Sequence, residues 1–327
     1  LSSGAAASFP HVYRAAKRNL ADALGLHLIE TPNALQDGGS LYRHPEARAD
    51  DLHWALTNPE VKGIFSTIGG YESVRVLPYV DAGLIRDHPK ILLGFSDTTS
   101  THTVYLNAGV VSFYGPSLMA GIADLPHFPY TRKWLHRLLI EGWSGPLEAS
   151  AGWTESVLDW GNLDYEQELA RPRMALPSEG WRWLQGEARA EGQLMGGCVE
   201  VLEMLKGTRW WPDPERWRGA ILCLETSEEV PPPSQVEYWL RNYASQGILA
   251  EAAGLLFGRP RGYTADMTDQ LYGAVRKVVR EAGREDMPVV ADMDFGHTSP
   301  MMVLPLGCRA AVDPARKQVE VLEAGVI

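Results

Sequence analysis

The fold of this chain is constrained most by an alternation of short apolar runs with segments of helical spacing in its first third. In the helical segments the apolar residues recur on one face, whereas the runs between them are short and aliphatic. Such alternation indicates βαβ units that build a parallel sheet, and chemistry in these sheets collects at the carboxyl ends of the strands. The predicted helices cover 9–24, 50–57, 73–80 and 98–106, and the predicted strands cover 26–29, 61–68 and 91–95.

A second ordered region begins near residue 193. The stretch before it is rich in Pro, Gly and charge, and nine of the eleven tryptophans lie between Trp134 and Trp217. It is too aromatic for a disordered linker, so we expect an irregular connection or a lid over a site. We therefore predict an N-terminal α/β domain (1–124), a Trp-rich connection (125–192) and a C-terminal domain (193–327). The predicted elements of the last are helices 199–205, 236–246 and 267–282 and strands 219–224, 254–257 and 288–292.

Composition excludes several classes of protein. Thirty basic against 41 acidic side chains give a net charge of −11, which argues against a nucleic-acid binder held by phosphate contacts. No apolar run approaches the roughly 18–20 residues of a membrane span, so we expect no membrane insertion. The three cysteines are odd in number and widely spaced, which favours neither a disulfide framework nor a zinc site and fits the cytoplasm. The opening Leu1-Ser2-Ser3-Gly4 is typical of a loop after a strand and not of a signal peptide.

The sharpest local feature is Ser96, which directly follows the predicted strand 91–95 and directly precedes a predicted helix. This is the context of a nucleophile elbow, in which a tight turn exposes the hydroxyl above the sheet. The backbone N–H of Asp97 would face the same space and could stabilise an oxyanion. Helix capping by Ser96 is the open alternative, since Ser is a favoured N-cap and Thr98 stands where a GxSxG pattern has its second Gly.

A serine nucleophile needs a base, and the base needs a group that orients it. His297 lies in a Gly- and Pro-punctuated loop just after the strand that ends at Asp292. Glu225 ends a strand of apolar or small residues, where a buried charge requires a partner such as an imidazole. The alternatives are a solvated loop histidine and an exposed glutamate at a strand end. In chain order the candidate set is Ser, Glu, His.

Two further features suggest ligand contacts. The Gly69-Gly70 turn follows a strand and leads into a predicted helix, so it could supply a second oxyanion amide at Gly70 or cradle a phosphate, although it lacks the Lys of a P-loop. Aromatic side chains in and beside the Trp-rich stretch could stack on a nucleobase, with core packing as the alternative. No metal site emerges from the spacing of histidines or acidic residues. The candidate substrate contacts are Tyr71, Arg75, Trp160, Trp181 and Trp183.

Several separated motifs, taken in order, resemble the LD-carboxypeptidase family of serine peptidases, in the branch of the microcin C immunity (MccF-like) proteins. The matching segments are Ser2-Ser3-Gly4, 68–71 with Arg75, 94–99, Leu224-Glu225 and 295–298. The resemblance implies an N-terminal parallel-sheet domain of the Rossmann or flavodoxin kind, a smaller C-terminal α/β domain, and an active site between them. It implies Ser96 as nucleophile, Glu225 as orienter, His297 as base, and the Gly70 and Asp97 amides as oxyanion donors. It also implies a homodimer that needs no metal or cofactor.

The implied reaction is amide hydrolysis through an acyl-enzyme. Two substrates compete: a peptidyl or aminoacyl nucleotide, in a self-immunity or detoxification role, and a murein tetrapeptide that loses its terminal D-alanine. We favour the nucleotide because 180–184 and the Trp-rich connection resemble the immunity branch. Departures from the family pattern are Cys198 where Gly-Gly-Asn is common, Glu72 at a position that is often small, and the missing first strand. A catalytically silent nucleotide-binding protein is the alternative from another class, and an α/β-hydrolase is the rival fold, disfavoured because GxSxG is missing.

Overall fold

Two β-sheets dominate the computed structural model, which describes residues 3–326; Leu1 and Ser2 of the opening loop lie outside the described residues. The strands are β1 (Gly63–Phe65), β2 (Ile91–Gly94), β3 (Ser112–Tyr114), β4 (Gly145–Pro146), β5 (Gly152–Trp153), β6 (Leu176–Pro177), β7 (Arg182–Gln185), β8 (Ala190–Cys198), β9 (Ile221–Glu225), β10 (Gly254–Gly258), β11 (Val289–Met293), β12 (Leu304–Leu306), β13 (Arg309–Asp313) and β14 (Gln318–Val321). The helices are α1 (Ala5–Ser8), α2 (Pro10–Leu24), α3 (Gly38–Arg43), α4 (Pro45–Thr57), α5 (Ala82–Asp87), α6 (Thr99–Ala108), α7 (Pro129–Leu139), α8 (Tyr165–Ala170), α9 (Val199–Leu205), α10 (Pro214–Trp217), α11 (Pro233–Ser245), α12 (Ile248–Glu251) and α13 (Ala265–Glu281).

Both sheets have a parallel centre. The first has the order β1-β2-β3-β12, in which β1, β2 and β3 run parallel and β12 pairs antiparallel with β3. The second has the order β4-β14-β13-β8-β9-β10-β11-β7, with parallel pairing from β8 to β11 and antiparallel strands outside. This arrangement confirms the predicted α/β class. Ser96 comes shortly after the carboxyl end of β2, Glu225 is the last residue of β9, and His297 follows the carboxyl end of β11.

Helix α6 lies between the two sheets and explains how they face each other. Residues 99–105 are buried all round the helix, and α6 packs against α9 and β8 of the second sheet as well as β3 of the first. A helix that is buried on every side must be enclosed by other elements. The turn that precedes α6 therefore lies at the junction of the sheets.

Two predicted elements of the N-terminal region are wrong in detail. The apolar run 26–29 forms no strand; it borders, together with β1, a cavity of about 340 Å³. An apolar run becomes a strand only where a neighbouring backbone supplies the hydrogen bonds, and no backbone among residues 3–326 is paired with this one. The predicted helix 73–80 is instead two single 3₁₀ turns, Ser73–Arg75 and Leu77–Tyr79, because Pro78 lacks the N–H needed to continue a helix.

The Trp-rich connection is more ordered than an irregular lid. It contains helix α7, whose Trp134 is fully buried, and its strands β4 and β7 form the two edges of the second sheet. Strand β12 comes from the C-terminal part of the chain but completes the first sheet. Strands of two to four residues are too short for a period-2 pattern to show, so the sequence did not indicate them. The domain boundaries at 124 and 192 stay predictions.

None of the helices within residues 3–326 is long and apolar enough to cross a membrane. The three cysteines, Cys198, Cys223 and Cys308, are buried and free. Burial raises the pKa of each thiol, to about 12 for Cys308. Since the thiolate is the nucleophilic form, these side chains are poor nucleophiles at neutral pH.

Candidate active site

Ser96 occupies a strained turn at the end of β2. Its φ is 57°, a left-handed conformation that is uncommon for residues other than Gly, and such outliers concentrate at functional sites. Phe95, not Ser96, is the N-cap of the 3₁₀ turn 96–98, and Oγ of Ser96 lies 3.1 Å from Nε2 of His297. The geometry is thus that of the predicted elbow, and the capping alternative is not what the structure shows.

Glu225 and His297 meet at the edge of the second sheet. Glu225 is the last residue of β9 and is fully buried, and its Oε2 accepts a hydrogen bond from Nδ1 of His297 at 2.7 Å. The preceding Gly296 has φ 100°, and a Cβ on it would lie 2.6 Å from that Oε2, so only glycine lets the loop approach the carboxylate. Ser96, His297 and Glu225 therefore form one hydrogen-bonded relay.

Tyr114 closes a hydrogen-bonded ring around this relay. Its hydroxyl donates to Oε1 of Glu225 at 2.5 Å and accepts from the N–H of Ser96 at 3.0 Å. Burial and the neighbouring Glu225 raise the pKa of Tyr114 well above its usual value, so the hydroxyl stays a donor. Tyr114 was not predicted to belong to the site. The available signal was its place at the end of β3, at the same edge as Ser96.

We expect the Tyr114→Phe substitution to lower kcat/KM about 10- to 100-fold. It removes a hydrogen bond to a buried carboxylate, and such bonds contribute roughly 1.5–3 kcal/mol. Steady-state hydrolysis measures the loss in kcat/KM, and urea unfolding measures the loss in the free energy of unfolding. Tyr105→Phe is the matched control, because its buried hydroxyl has no partner among the described residues. Equal activity of the two variants would contradict a role of the Tyr114 hydroxyl in catalysis.

The Gly69-Gly70 turn lies directly against Ser96. A Cβ on Gly69 would come 3.0 Å from the Ser96 Cβ and 3.6 Å from the amide nitrogen of Asp97. The Asp97 carboxylate holds this turn in place, because its Oδ2 accepts from the N–H of Glu72 at 3.0 Å and from the N–H and hydroxyl of Ser73 at 2.9 and 2.7 Å. The backbones of Gly69 and Asp97 thus lie at the nucleophile, and Gly70 lies beside the Asp97 carboxylate, where a Cβ on it would come 3.4 Å from Oδ2. The structural role of the Asp97 side chain was not predicted from the sequence.

Glu228 is a second carboxylate on the imidazole. Its Oε2 lies 3.0 Å from Nε2 of His297, on the side that faces Ser96. Burial alone would lower the pKa of His297, but Glu225 and Glu228 outweigh it and raise that pKa to about 10. The hydrogen bond from His297 in turn lowers the pKa of Glu228 to about 2. Glu228 was not predicted from the sequence, because the conformation of the loop after β9 brings its side chain to the imidazole.

A cavity of about 80 Å³ opens beside the relay. Trp160 and Phe95 line it together with His297, as does Arg261, whose guanidinium makes no hydrogen bond or ion pair with any other residue in the described part of the chain. No group of three or more His, Cys, Asp or Glu between residues 3 and 326 could hold a metal ion. The cavity therefore offers an aromatic face and an unpaired guanidinium next to His297.

The other predicted substrate contacts do not line this cavity. Tyr71 is 75% exposed, and Arg75 stacks on Tyr42 and donates to its carbonyl oxygen. Trp181 donates its Nε1–H to Asp294, three residues before His297, and Trp183 lies in β7 opposite Val290 of β11. Of the five residues, only Trp160 is brought next to His297.

Comparison with known proteins agrees with this arrangement. Residues 1–115 match the LD-carboxypeptidase N-terminal domain, and residues 191–312 match the LD-carboxypeptidase C-terminal domain. A probable murein peptide carboxypeptidase of Bacillus subtilis is 30% identical over 93% of this chain and 85% of its own length. The Microcin C7 self-immunity protein MccF of Escherichia coli is 27% identical over 84% of this chain and 78% of its own.

A solved structure extends the similarity to the whole fold. The MccF-like protein from Streptococcus pneumoniae, in complex with AMP, superposes with a TM-score of 0.87 at 30% identity and covers 99% of this chain and 97% of that one. Both matched domains contribute to the site, the first through the Ser96 turn and the second through Glu225 and His297. The chain therefore belongs to the LD-carboxypeptidase family of serine peptidases.

Proposed function

We propose that this serine peptidase hydrolyses an amide bond with Ser96 as nucleophile, His297 as general base and Glu225 as the group that orients it. The observation that carries the proposal is the unbroken relay from Ser96 Oγ to His297 Nε2 at 3.1 Å and from His297 Nδ1 to Glu225 at 2.7 Å. Nucleophile, base and orienter within hydrogen-bond reach are the signature of covalent acyl transfer.

In the proposed mechanism, Nε2 of His297 takes the hydroxyl proton as Ser96 Oγ attacks the substrate carbonyl. The N–H groups of Gly70 and Asp97 stabilise the oxyanion, and one such donor is typically worth about 3–4 kcal/mol. The buried carboxylate of Glu225 stabilises the imidazolium that forms. His297 then protonates the leaving nitrogen, an acyl-enzyme remains on Ser96, and water releases it by the reverse sequence.

For the substrate we propose a peptidyl or aminoacyl nucleotide, cleaved at the amide that joins the acyl part to the nucleotide moiety. Trp160 offers an aromatic face for a base, and the unpaired guanidinium of Arg261 offers a partner for a phosphate. The similarity to a microcin self-immunity protein and to an MccF-like protein in complex with AMP supports this choice. The biological role would be self-immunity or detoxification. A homodimer and a cytoplasmic location stay predictions.

Removal of a terminal D-alanine from a murein tetrapeptide is the second candidate. It is favoured by the Bacillus subtilis relative, and Arg261 would fit a terminal carboxylate as well as a phosphate. Both candidates use the same relay, so the substrate and not the mechanism separates them.

Assaying both substrate classes side by side tests the proposal. We expect kcat/KM for an aminoacyl nucleotide amide to exceed that for a murein tetrapeptide by more than about tenfold. Labelling with a serine-directed fluorophosphonate, mapped to Ser96 by mass spectrometry, provides the matched check of the nucleophile. A preference for the tetrapeptide would refute the nucleotide assignment, whereas an unlabelled Ser96 would refute the mechanism itself.

A further inference from the structure

Two oxygens lie within hydrogen-bond reach of Nε2 of His297 and compete for it. Ser96 Oγ lies 3.1 Å away and Glu228 Oε2 lies 3.0 Å away. A carboxylate is the stronger acceptor, because hydrogen bonds between charged groups are roughly twice as strong as neutral ones. The contact with Glu228 therefore favours the imidazolium, whereas Ser96 is activated only by an unprotonated Nε2.

Glu228 differs from Glu225 in its freedom to move. The Glu225 side chain is fully buried, whereas that of Glu228 is 54% exposed and, among the residues described, makes a hydrogen bond or ion pair with no other residue than His297. It lies in the loop between β9 and α11, in which Val230 has a φ of 52°. Catalysis requires the Nε2–H to reach the leaving nitrogen, so the carboxylate of Glu228 must leave that position when substrate binds.

We propose that Glu228 is a specificity-determining residue that binds a free ammonium group on the acyl residue of the substrate and, in doing so, releases His297 to act as base. The inference rests on the proposed function, since it takes Ser96 as the nucleophile. A carbonyl carbon in position for attack lies about 3–3.5 Å from Oγ. The α-nitrogen is two bonds from that carbon, which brings an α-ammonium to the space that Glu228 faces.

The charged groups around the imidazole are consistent with a transfer of Glu228 from His297 to the substrate ammonium. Glu225, held by Tyr114, stays in contact with Nδ1 in both states, and Glu200 on α9 acts on Glu225 and not on the imidazole. Arg261 acts on Glu228 from the cavity side and does not neutralise it by direct contact. Glu228 is therefore the charged neighbour of Nε2 that can change its partner. When an ammonium pairs with Glu228, the pKa of His297 falls toward the range of a general base.

The proposal separates the possible substrates by whether the α-nitrogen next to the scissile carbonyl is a free ammonium or part of an amide. An aminoacyl nucleotide carries a free α-ammonium beside the scissile carbonyl. In a peptidyl nucleotide or a murein tetrapeptide the same nitrogen is part of an amide and carries no charge. The site should thus prefer substrates with a single aminoacyl residue on the acyl side.

The test uses matched pairs of substrates, each with and without an N-acetyl group: an aminoacyl nucleotide amide and a dipeptide. We expect the natural protein to favour the free amine by at least about tenfold in kcat/KM. Glu228→Gln should lose that preference, mainly through a higher KM for the free amine. Glu229→Gln, the same charge change one residue further along an exposed loop, is the control and should behave as the natural protein. Retention of the preference in Glu228→Gln would overturn the proposal.

A second readout needs no substrate amine. Inactivation by a neutral fluorophosphonate follows the fraction of unprotonated His297. Since Glu228 raises the pKa of His297, its removal should shift the pH profile to lower pH and accelerate inactivation at pH 7 at least about tenfold. An unchanged profile would contradict the release of His297. Absence of labelling in both proteins would instead refute Ser96 as nucleophile, and cleavage of the dipeptide pair alone would refute only the nucleotide substrate.

Discussion

Turnover should fall by about 10⁴-fold or more when Ser96 is replaced by Ala, while the protein keeps its fold. Ser96 supplies the attacking oxygen in the proposed mechanism, and members of such a relay act as a unit, so nothing remains to be activated without it. Ala tolerates the left-handed turn about as well as Ser does, so the free energy of unfolding should change little. Single-turnover hydrolysis together with thermal unfolding measures both quantities.

Ser100→Ala is the matched control for this substitution. Ser100 is buried in α6, four residues after Ser96, and its hydroxyl has no partner among residues 3–326. The substitution removes the same hydroxyl group from the helix that follows the Ser96 turn, without touching the relay, so activity should stay close to that of the natural protein. If the Ser96 variant hydrolysed the substrate as fast as the Ser100 variant, the nucleophile would have to be sought elsewhere.

Glu225→Gln is expected to lower kcat by about 10⁴-fold, because the imidazolium loses its buried counter-charge and the amide can present N–H to Nδ1, which favours the wrong tautomer. The amide must also face the donor hydroxyl of Tyr114, and only one of its two ends is an acceptor. The measurement is kcat across pH with the better of the two substrates.

Glu168→Gln serves as the control for that change. Glu168 is also buried, at 4% exposure. Its carboxylate forms an ion pair with Arg171 and accepts a hydrogen bond from Asn162, away from the relay. The two variants separate loss of a buried charge in general from loss of this particular charge. Comparable rates in both would show that Glu225 has no special part in catalysis.

The sequence predicted the site better than it predicted the elements around it. Ser96, Glu225 and His297 were found because each follows an apolar strand, and the carboxyl ends of parallel strands converge on one edge of a sheet. That rule needs only local patterns. It brought together residues that are 72 and 201 positions apart in the chain.

What was missed depends on contacts between distant segments. The run 26–29 has the apolar character of a strand, but pairing is decided by a neighbour that sequence does not show. Tyr114 and Glu228 reach the relay from a separate strand and from a loop, and neither periodicity nor spacing indicates the direction of a side chain in a loop. Trp181 and Arg75 were predicted to contact substrate because their side chains are chemically suitable. In the structure Trp181 donates to Asp294 and Arg75 donates to Tyr42.

Strand β12 has a consequence for how the molecule could be divided. The segment that carries His297 leaves β11 in one sheet and returns as β12 in the other, where it pairs with β3. An N-terminal fragment that ends near residue 193 would keep Ser96 but lack β12, the last strand of the first sheet. The C-terminal fragment would keep His297 but have no serine for it to activate. The two halves are not interchangeable modules, and exchange of one half with a relative would succeed only if the incoming strand β12 fitted the resident β3.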